Sequence, residues 1–326
     1  MTSTITRQGR ITRRHVLAGG TALAAGLAAG LPRGARAADK VIRIGYQKYG
    51  SLVLLKGKGA LEPALKDLGF SVTWTEFAAG PQLLEALNVG AIDFGTVGEA
   101  PPIFAQAAGA PLLYVANEPP APEGEAILVP KDSPLKTVAD LKGKRVAFNK
   151  GSNVQFLVVK ALRANGLDYK DIEPVYLPPA DARAAFEKGA IDAWAIWDPF
   201  QAAAEAAIGA RTLVNGVGLV ANHQFYLAEQ KFTDANPQVV DAVLKGLYDI
   251  GEEVRADPEA AAKKLSPNVG IPAPVLAIAI RRQAFGLKPL TPEVVEAQQA
   301  IADTFFELGL LPKAIKVADV VRKAAS

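Results

Sequence analysis

The chain has 326 residues, half of them apolar, with 36 basic and 33 acidic residues, two histidines and no cysteine. That length buries one large core or two modest ones. The missing cysteine excludes disulfides, thiolate metal sites, thiol nucleophiles and lipid attachment through sulfur, and two histidines, His15 and His223, exclude a histidine-rich metal site.

Residues 1–37 read as an export leader. Arg13 and Arg14 precede an apolar run from Val16 to Leu31, and Ala35-Arg36-Ala37 supplies a small-x-small cleavage site. The paired arginines followed by Leu17, with an Ala/Gly-rich run, predict the twin-arginine (Tat) route, a signal peptide cleaved near Ala37 and a periplasmic destination. The apolar run is shorter than the roughly 20 residues a membrane span needs. Six arginines and no acid lie in this leader, so the remainder holds 30 basic against 33 acidic residues, a net charge of −3. Such a chain has no broad positive field for nucleic acid or anionic lipid. No later stretch reaches 18 uninterrupted apolar residues, so the mature part is expected to be soluble.

From Val41 short β-branched runs alternate with helical stretches. VIRIGYQ reads as a strand, LVLLKGKGALEPALKDLG as one helix with a frayed start, and SVTWTEF as an alternating strand. GPQLLEALNVG is a compact helix, with Pro81 in its first turn and Gly90 at its stop. The strand AIDFGTV, the helix EAPPIFAQAAG and the strand PLLYVANE follow. Glu118 to Glu125, EPPAPEGE, has no apolar period and reads as a linker. The pattern then restarts with strand AILVP, turn KDSPLKTVADLKG, strand KRVAFN, a helix from Ser152 to about Asn165 and strand IEPVYL. Helix PADARAAFEKG, strand AIDAWAIW and helix PFQAAAEAAIG come next, with a second crossing near RTLVNGVGLVANHQFYLA. From Thr233 the pattern is mostly helical, interrupted at Pro237, Pro258, Pro267, Pro272 and Pro292. Strands separated by helices at this spacing predict an α/β fold with parallel or mixed sheets and helices on both faces.

One phrase occurs twice. GAID stands at Gly90–Asp93 and at Gly189–Asp192, and six residues after each Asp comes another acid, Glu99 or Asp198, with Pro101 or Pro199 close behind. IGYQKYGSLVLLKG likewise resembles VAFNKGSNVQFLVVKAL, pairing Gln47 with Asn149 and Ser51 with Ser152. Two motifs repeated in order at nearly equal separation predict two similar α/β lobes. With the linker and the return crossing as hinge, the first lobe is residues 38–122 plus 225–326, and the second is 123–224. GAID itself is expected to mark register: Gly stops a helix, Ala-Ile enter the core, and Asp holds the turn.

In an open α/β sheet, ligands sit outside the carboxyl ends of the strands. There the sequence places YQK, GTVGEAPP, FNKGSN and WDPF, and facing lobes would gather all four into one cleft. Four loops run into helices: Gly80-Pro81, Gly98-Glu99-Ala100, Gly151-Ser152-Asn153 and Ala180-Asp181. Helix starts carry unpaired N–H groups, which suit an oxyanion headgroup such as sulfonate, nitrate or phosphonate. The alternative for Ser152 and Asp181 is ordinary helix capping. Trp194 and Trp197 point to opposite faces of their strand, and Trp197, beside its end, is the candidate pocket wall. Glu99 and Asp198 are open to four roles: acid/base couple, helix-dipole partners, acceptors for a ligand amine, or ordering of a loop.

Enzyme constellations lack parts. There is no G-x-S-x-G, no P-loop, no G-x-G-x-x-G after a strand and no calcium-loop spacing. His223, beside Phe225 and Tyr226, reads as structural. No catalytic residue, metal or cofactor is expected.

The segments IRIGYQK, EFAAGPQLLEALNVGAIDFGTVGEAPPIFAQAAGA, EAILVPKDSPLKTVADLKGKRVAFNKGS and YLPPADARAAFEKGAIDAWAIWDPF resemble the aliphatic sulfonate-binding proteins of bacterial ABC importers over nearly the whole mature chain. The resemblance implies a type II periplasmic binding protein fold: two α/β lobes, a two-crossing hinge and a helical C-terminal segment packed mainly on the first lobe. It implies a monomeric substrate-binding protein that captures alkanesulfonates for sulfur uptake, with a membrane permease and its ATPase as partners. It supports Gln47, Gly98, Glu99, Ala100, Gly151, Ser152, Asp181 and Trp197 as cleft residues. Asn153 joins them from the residue pattern, with Pro81, Gln82 and Asp198 nearby and Tyr46 beside Trp197 on the apolar tail. The chain departs from the family in having Glu99 where Asp is usual, and Asn153-Val154-Gln155 where Ser-rich text with a His is common. Both changes bear on which sulfonate fits. Taurine, nitrate or an aromatic sulfonate are the alternative ligands, and a pyrimidine-synthase-like enzyme, a Cys- and His-dependent design, is the alternative class.

Overall fold

The structure, a computed structural model, describes residues 40–323, so the leader read at 1–37 lies outside the described residues. The order is β1 (Lys40–Tyr46), α1 (Gly50–Lys58), α2 (Leu61–Lys66), β2 (Phe70–Glu76), α3 (Gly80–Asn88), β3 (Phe94–Val97), α4 (Pro101–Ala107) and β4 (Leu112–Asn117). A crossing leads to β5 (Glu125–Val129), β6 (Arg145–Phe148), α5 (Asn153–Ala164), β7 (Glu173–Tyr176), α6 (Pro179–Glu187), β8 (Ala193–Trp197), α7 (Phe200–Ile208) and β9 (Arg211–Asn215). The return crossing enters β10 (Phe225–Glu229), then α8 (Gln230–Ala235), α9 (Pro237–Ala256), α10 (Pro258–Val269), α11 (Ala273–Arg282) and α12 (Pro292–Glu307).

Two five-stranded sheets result, ordered β2-β1-β3-β10-β4 and β7-β6-β8-β5-β9. The first three strands of each run parallel. The strand delivered by a crossing enters the other sheet antiparallel: β10 between β3 and β4, β5 between β8 and β9. Each crossing is therefore hydrogen-bonded into a sheet at both ends, and the two α/β lobes are joined twice.

Burial explains the layers. Val239, Val240, Val243, Leu247, Ile250 and Val254 recur along α9 at helical spacing and pack with Ile42, Ile44 and Leu52 on one face of the first sheet. Leu83, Leu87, Ile103, Ile301 and Phe305 from α3, α4 and α12 cover the other face with Phe225 and Leu227. The second sheet has its own core around Val146, Phe148, Trp194 and Ile196.

Two sequence expectations change. The helix expected over LVLLKGKGALEPALKDLG is two helices, because Gly59 takes a left-handed φ of 64° and ends α1. The linker Glu118–Glu125 is not a solvated tether. Its Glu118 N–H donates to Gln224 O at 2.8 Å, and both Glu118 and Glu125 are buried. A crossing that runs between packed lobes must pair its polar groups internally.

The repeated GAID is the same structural device twice. Gly90 and Gly189 end α3 and α6 at φ 69° and 68°, and the following Ala91 and Ala190 N–H groups reach back to Ala86 O and Ala185 O, both at 2.8 Å. Asp93 then accepts the Arg43 backbone N–H at 2.8 Å and Nε at 2.9 Å, with Nη2 on its other oxygen. Asp192 accepts the Arg145 backbone N–H at 2.8 Å, Nε at 3.2 Å and Nη2 at 3.1 Å. Each clamp locks the entry of a middle strand, β3 or β8, against its neighbour, β1 or β6.

The two clamps differ in burial, and stability should follow. Arg43→Ala strands an Asp93 side chain that is 5% exposed, with an expected loss of roughly 2–3 kcal/mol in urea unfolding. Arg145→Ala leaves Asp192 at 33% exposure, with an expected loss of about 1 kcal/mol or less. Equal losses would contradict the burial argument.

Candidate ligand-binding cleft between the sheets

The carboxyl ends of β1, β3, β6 and β8 carry Gln47, Gly98-Glu99-Ala100, Asn149 to Asn153, and Trp197-Asp198. All of these are buried except Lys150. The lobes touch here: a Cβ built on Gly98 would lie 2.6 Å from Asn153 Oδ1, and one on Gly151 would lie 3.6 Å from Phe104 and 3.8 Å from Pro81. Glycine at 98 is thus what lets the β3–α4 loop meet the start of α5.

Hydrogen bonds knit the strand ends. Gln47 Nε2 donates to Thr96 O at 3.1 Å and Tyr49 Oη at 3.3 Å, and Tyr49 Oη donates to Gln224 Oε1 at 2.9 Å. Asn153 Nδ2 donates to Glu125 Oε2 and, at 2.9 Å, to Asn222 Oδ1. Glu99 Oε2 accepts the His223 N–H at 3.1 Å, while the Glu99 carbonyl accepts Gln298 Nε2. Trp197 lies opposite Glu125 in the β5–β8 pairing and meets Phe200 edge-on at 6.3 Å. Several buried atoms keep no partner: Trp197 Nε1, Asn149 Oδ1, Glu99 Oε1 and Glu125 Oε1. With Asp198 Oδ2, also without a hydrogen-bond partner, the strand ends carry one free indole donor and four free acceptors.

Burial dominates the electrostatics. It pushes the Glu99 carboxyl up to about 7, against the opposing pull of N–H groups from His223 and Asn222. Burial, then the neighbouring Glu99, holds Glu125 well above the usual carboxylate range. Glu118 is pushed to about 7 by burial, opposed by hydrogen bonds from Ser51 and Tyr226. Asp198 is pushed to about 6 by burial, opposed chiefly by Arg282.

Some candidates sit elsewhere. Tyr46 shares a strand face with Ile42 and Ile44, so its ring enters the first lobe's core against Trp74 and its hydroxyl reaches Glu76 Oε2 at 3.4 Å. Gln82 and Asp181 are exposed. Asp181 is the third residue of α6, whose N-cap is Pro178, so it caps nothing. Ser152 occupies the N-cap of α5, but its hydroxyl turns back to Asn149 O at 2.6 Å and makes no cap. Pro101 and Pro102 open α4 and have no N–H, so the donors at that end are confined to the Gly98–Ala100 loop. Asp198 does not face Glu99. It accepts the Ala202 N–H at 3.0 Å and lies 3.6 Å from Arg282 Nη1 on α11. The carboxyl whose charge acts on Glu99 is that of Glu125, hidden in the sequence by its Pro/Gly-rich surroundings. Asn222 was also hidden; its φ of 52° is left-handed, which asparagine tolerates better than most residues. Asn149 was signalled by its repeat partner Gln47. A separate groove of about 600 Å³ lies between α1, α9 and α10, lined by Leu54, Lys58, Ile250, Glu253 and Lys264, and shares no residue with the cleft.

Residues 65–261 match the family described as NMT1/THI5 like. The chain is 47% identical over 285 residues to a relative from Escherichia coli (strain K12) named for binding aliphatic sulfonates, covering 87% of this chain and 89% of that one. Its fold is similar to that of the alkanesulfonate-binding protein SsuA from Xanthomonas axonopodis pv. citri bound to MOPS, with TM-score 0.83, 46% identity, and coverage of 88% and 100%. The periplasmic aliphatic sulphonate binding protein SsuA from Escherichia coli gives TM-score 0.80 at 45% identity, covering 88% and 94%. With the two-lobe fold, the buried strand ends and this degree of identity, the chain belongs to the aliphatic sulfonate-binding protein family, within the NMT1/THI5-like group.

Proposed function

We infer that the protein is the exported solute-binding component of an ABC importer and captures aliphatic sulfonates between its lobes for sulfur uptake. One observation carries this: strand ends from both sheets converge on a buried cluster whose Trp197 indole N–H has no partner. A sulfonate oxygen would accept that N–H. The twelve-residue helix α5 starts with no side-chain cap from Ser152, and with the Gly151, Ser152 and Gln155 N–H groups already bonded it leaves those of Asn153 and Val154 for the other headgroup oxygens. Gln47, Gly98, Glu99, Ala100, Gly151, Ser152, Asn153 and Trp197 form the contacting set, with Pro81 and Phe104 across from Gly151.

Lobes comprising 38–122 with 225–326, and 123–224, turn about the two crossings. The ligand stabilises the closed arrangement because both lobes reach its oxygens there. Residues 1–37 serve as a twin-arginine leader cleaved near Ala37, and the mature monomer hands its ligand to a permease and ATPase. Binding without turnover is supported by the names of the relatives and by a chain devoid of cysteine.

Calorimetric titration with C2 to C8 alkanesulfonates, taurine, nitrate and sulfate tests the assignment. The expected result is saturable binding of an alkanesulfonate in preference to nitrate and sulfate; no binding of any sulfonate would sink it. Phosphate or Tris must replace sulfonate buffers, since a relative was crystallised with MOPS bound. Trp197→Phe should weaken binding about tenfold by removing one charge-assisted hydrogen bond. Gly98→Ala should weaken it roughly tenfold through overlap with Asn153. Because that overlap arises between lobes, its unfolding midpoint in urea should match the parent's.

A further inference from the structure

We propose that closing the cleft takes up one proton, held by the buried pair of carboxyls Glu99 and Glu125. The uptake presupposes the interlobe capture described above. Glu99 comes from the first sheet's β3–α4 loop and is 1% exposed; Glu125 opens β5 in the second sheet and is 0% exposed. Asn153 ties them into one cluster, donating to Glu125 Oε2 while its side chain lies against Gly98, the residue before Glu99. Each carboxyl commits one oxygen: Glu99 Oε2 to the His223 N–H, Glu125 Oε2 to Asn153. The remaining oxygens, Glu99 Oε1 and Glu125 Oε1, are both buried and both without a donor. Each of these buried acceptors lacks a hydrogen. A proton on either carboxyl removes one of two like charges; without it, two desolvated negative charges oppose each other.

Surrounding groups do not substitute for that proton. Glu118 is occupied by Ser51 and Tyr226 hydroxyls at 2.6 and 2.7 Å, and the His223 ring Nδ1 is bonded to Glu118 O at 2.8 Å. Tyr49 and Tyr114 are buried phenols engaged with Gln224 and Gln298. Asp198 and Glu205 take Arg282, at 3.6 and 2.7 Å. Among the described residues no Lys or Arg pairs with Glu99 or Glu125.

The sign follows from burial. Closed, Glu99 titrates at about 7 and Glu125 higher than an ordinary carboxyl. Open, water restores both toward the ordinary value of about 4.3. The closed form therefore binds more protons, is favoured as pH falls, and loses that advantage as pH rises through about 7 and beyond.

Titrating hexanesulfonate into the mature protein at pH 7.5, in phosphate and in Tris, reads the proton count from the difference in observed heat. About one proton taken up per ligand is expected, with affinity falling by up to tenfold per pH unit between pH 6 and 9. Glu125→Gln and Glu99→Gln should each abolish uptake and flatten the profile, because the amide supplies a hydrogen that does not titrate. Sulfonate binding with no proton exchange overturns the linkage while leaving the capture mechanism intact, as does undiminished uptake in both variants. Should no sulfonate bind, the melting temperature decides. It should fall as pH rises from 5 to 8 in the native protein and less so in Glu125→Gln; parallel curves overturn the proposal.

Discussion

Desolvation at the line where the two sheets meet is the constraint to which the rest of the molecule answers. Gln47, Glu99, Glu118, Glu125, Asn149, Ser152, Asn153 and Asp198 are all buried there, and a buried polar group without a partner costs on the order of 1–3 kcal/mol. Partners come from the opposite lobe, from the crossings, or from whatever the cleft encloses. The crossings supply Asn222, the His223 N–H and Gln224. What they leave unmet is confined to a few atoms, and these define what a ligand or a proton has to provide.

Such a cluster is usable if the strand ends hold still. That is the work of the two Arg–Asp clamps, which fix β3 against β1 and β8 against β6 from the ends opposite the cleft. A glycine in left-handed conformation stops the preceding helix in both cases. Because the clamp uses the Arg backbone N–H as well as its guanidinium, it sets strand register and not charge alone. The six-residue count from Asp93 to Glu99 and from Asp192 to Asp198 is then a fixed length of strand, delivering each acid to the same level of its sheet.

Much of this was readable from residues. The strand–helix alternation, both crossings and the two-lobe plan followed from periodicity and from the repeated phrase, since those signals are local. The clamp partner was not readable, because Arg43 and Arg145 lie 50 and 47 residues from their aspartates. The cleft was legible as a set of loops but not in detail. Ser152, read as a cleft residue with helix capping as the alternative, makes no cap and bonds Asn149 O. Tyr46 looked like a pocket wall, yet strand alternation aims it at Trp74. Glu125 was lost in a Pro-rich stretch that reads as linker, because nothing local says that a crossing will be buried from both sides.

The two acids of the repeated phrase end in different surroundings, and the difference is instructive. Asp198 faces Arg282 from α11, so the C-terminal helices provide a fixed cation that opposes the effect of burial on that carboxyl. Among the described residues Glu99 has no cation partner, and the charge of a second buried carboxyl, Glu125, acts on it. The same strand position thus has an arginine 3.6 Å away in one lobe and, among the described residues, no cation in the other. Arg282 also pairs with Glu205 on α7, so the arginine keeps a partner whichever way Asp198 moves. Glu99 has no such reserve: its free oxygen is satisfied by a proton, or the charge beside it is tolerated at a cost. Sequence symmetry built two equivalent strand ends, and what each end touches across the boundary gave the Asp198 carboxyl a cation to oppose its burial and the Glu99 carboxyl none among the described residues.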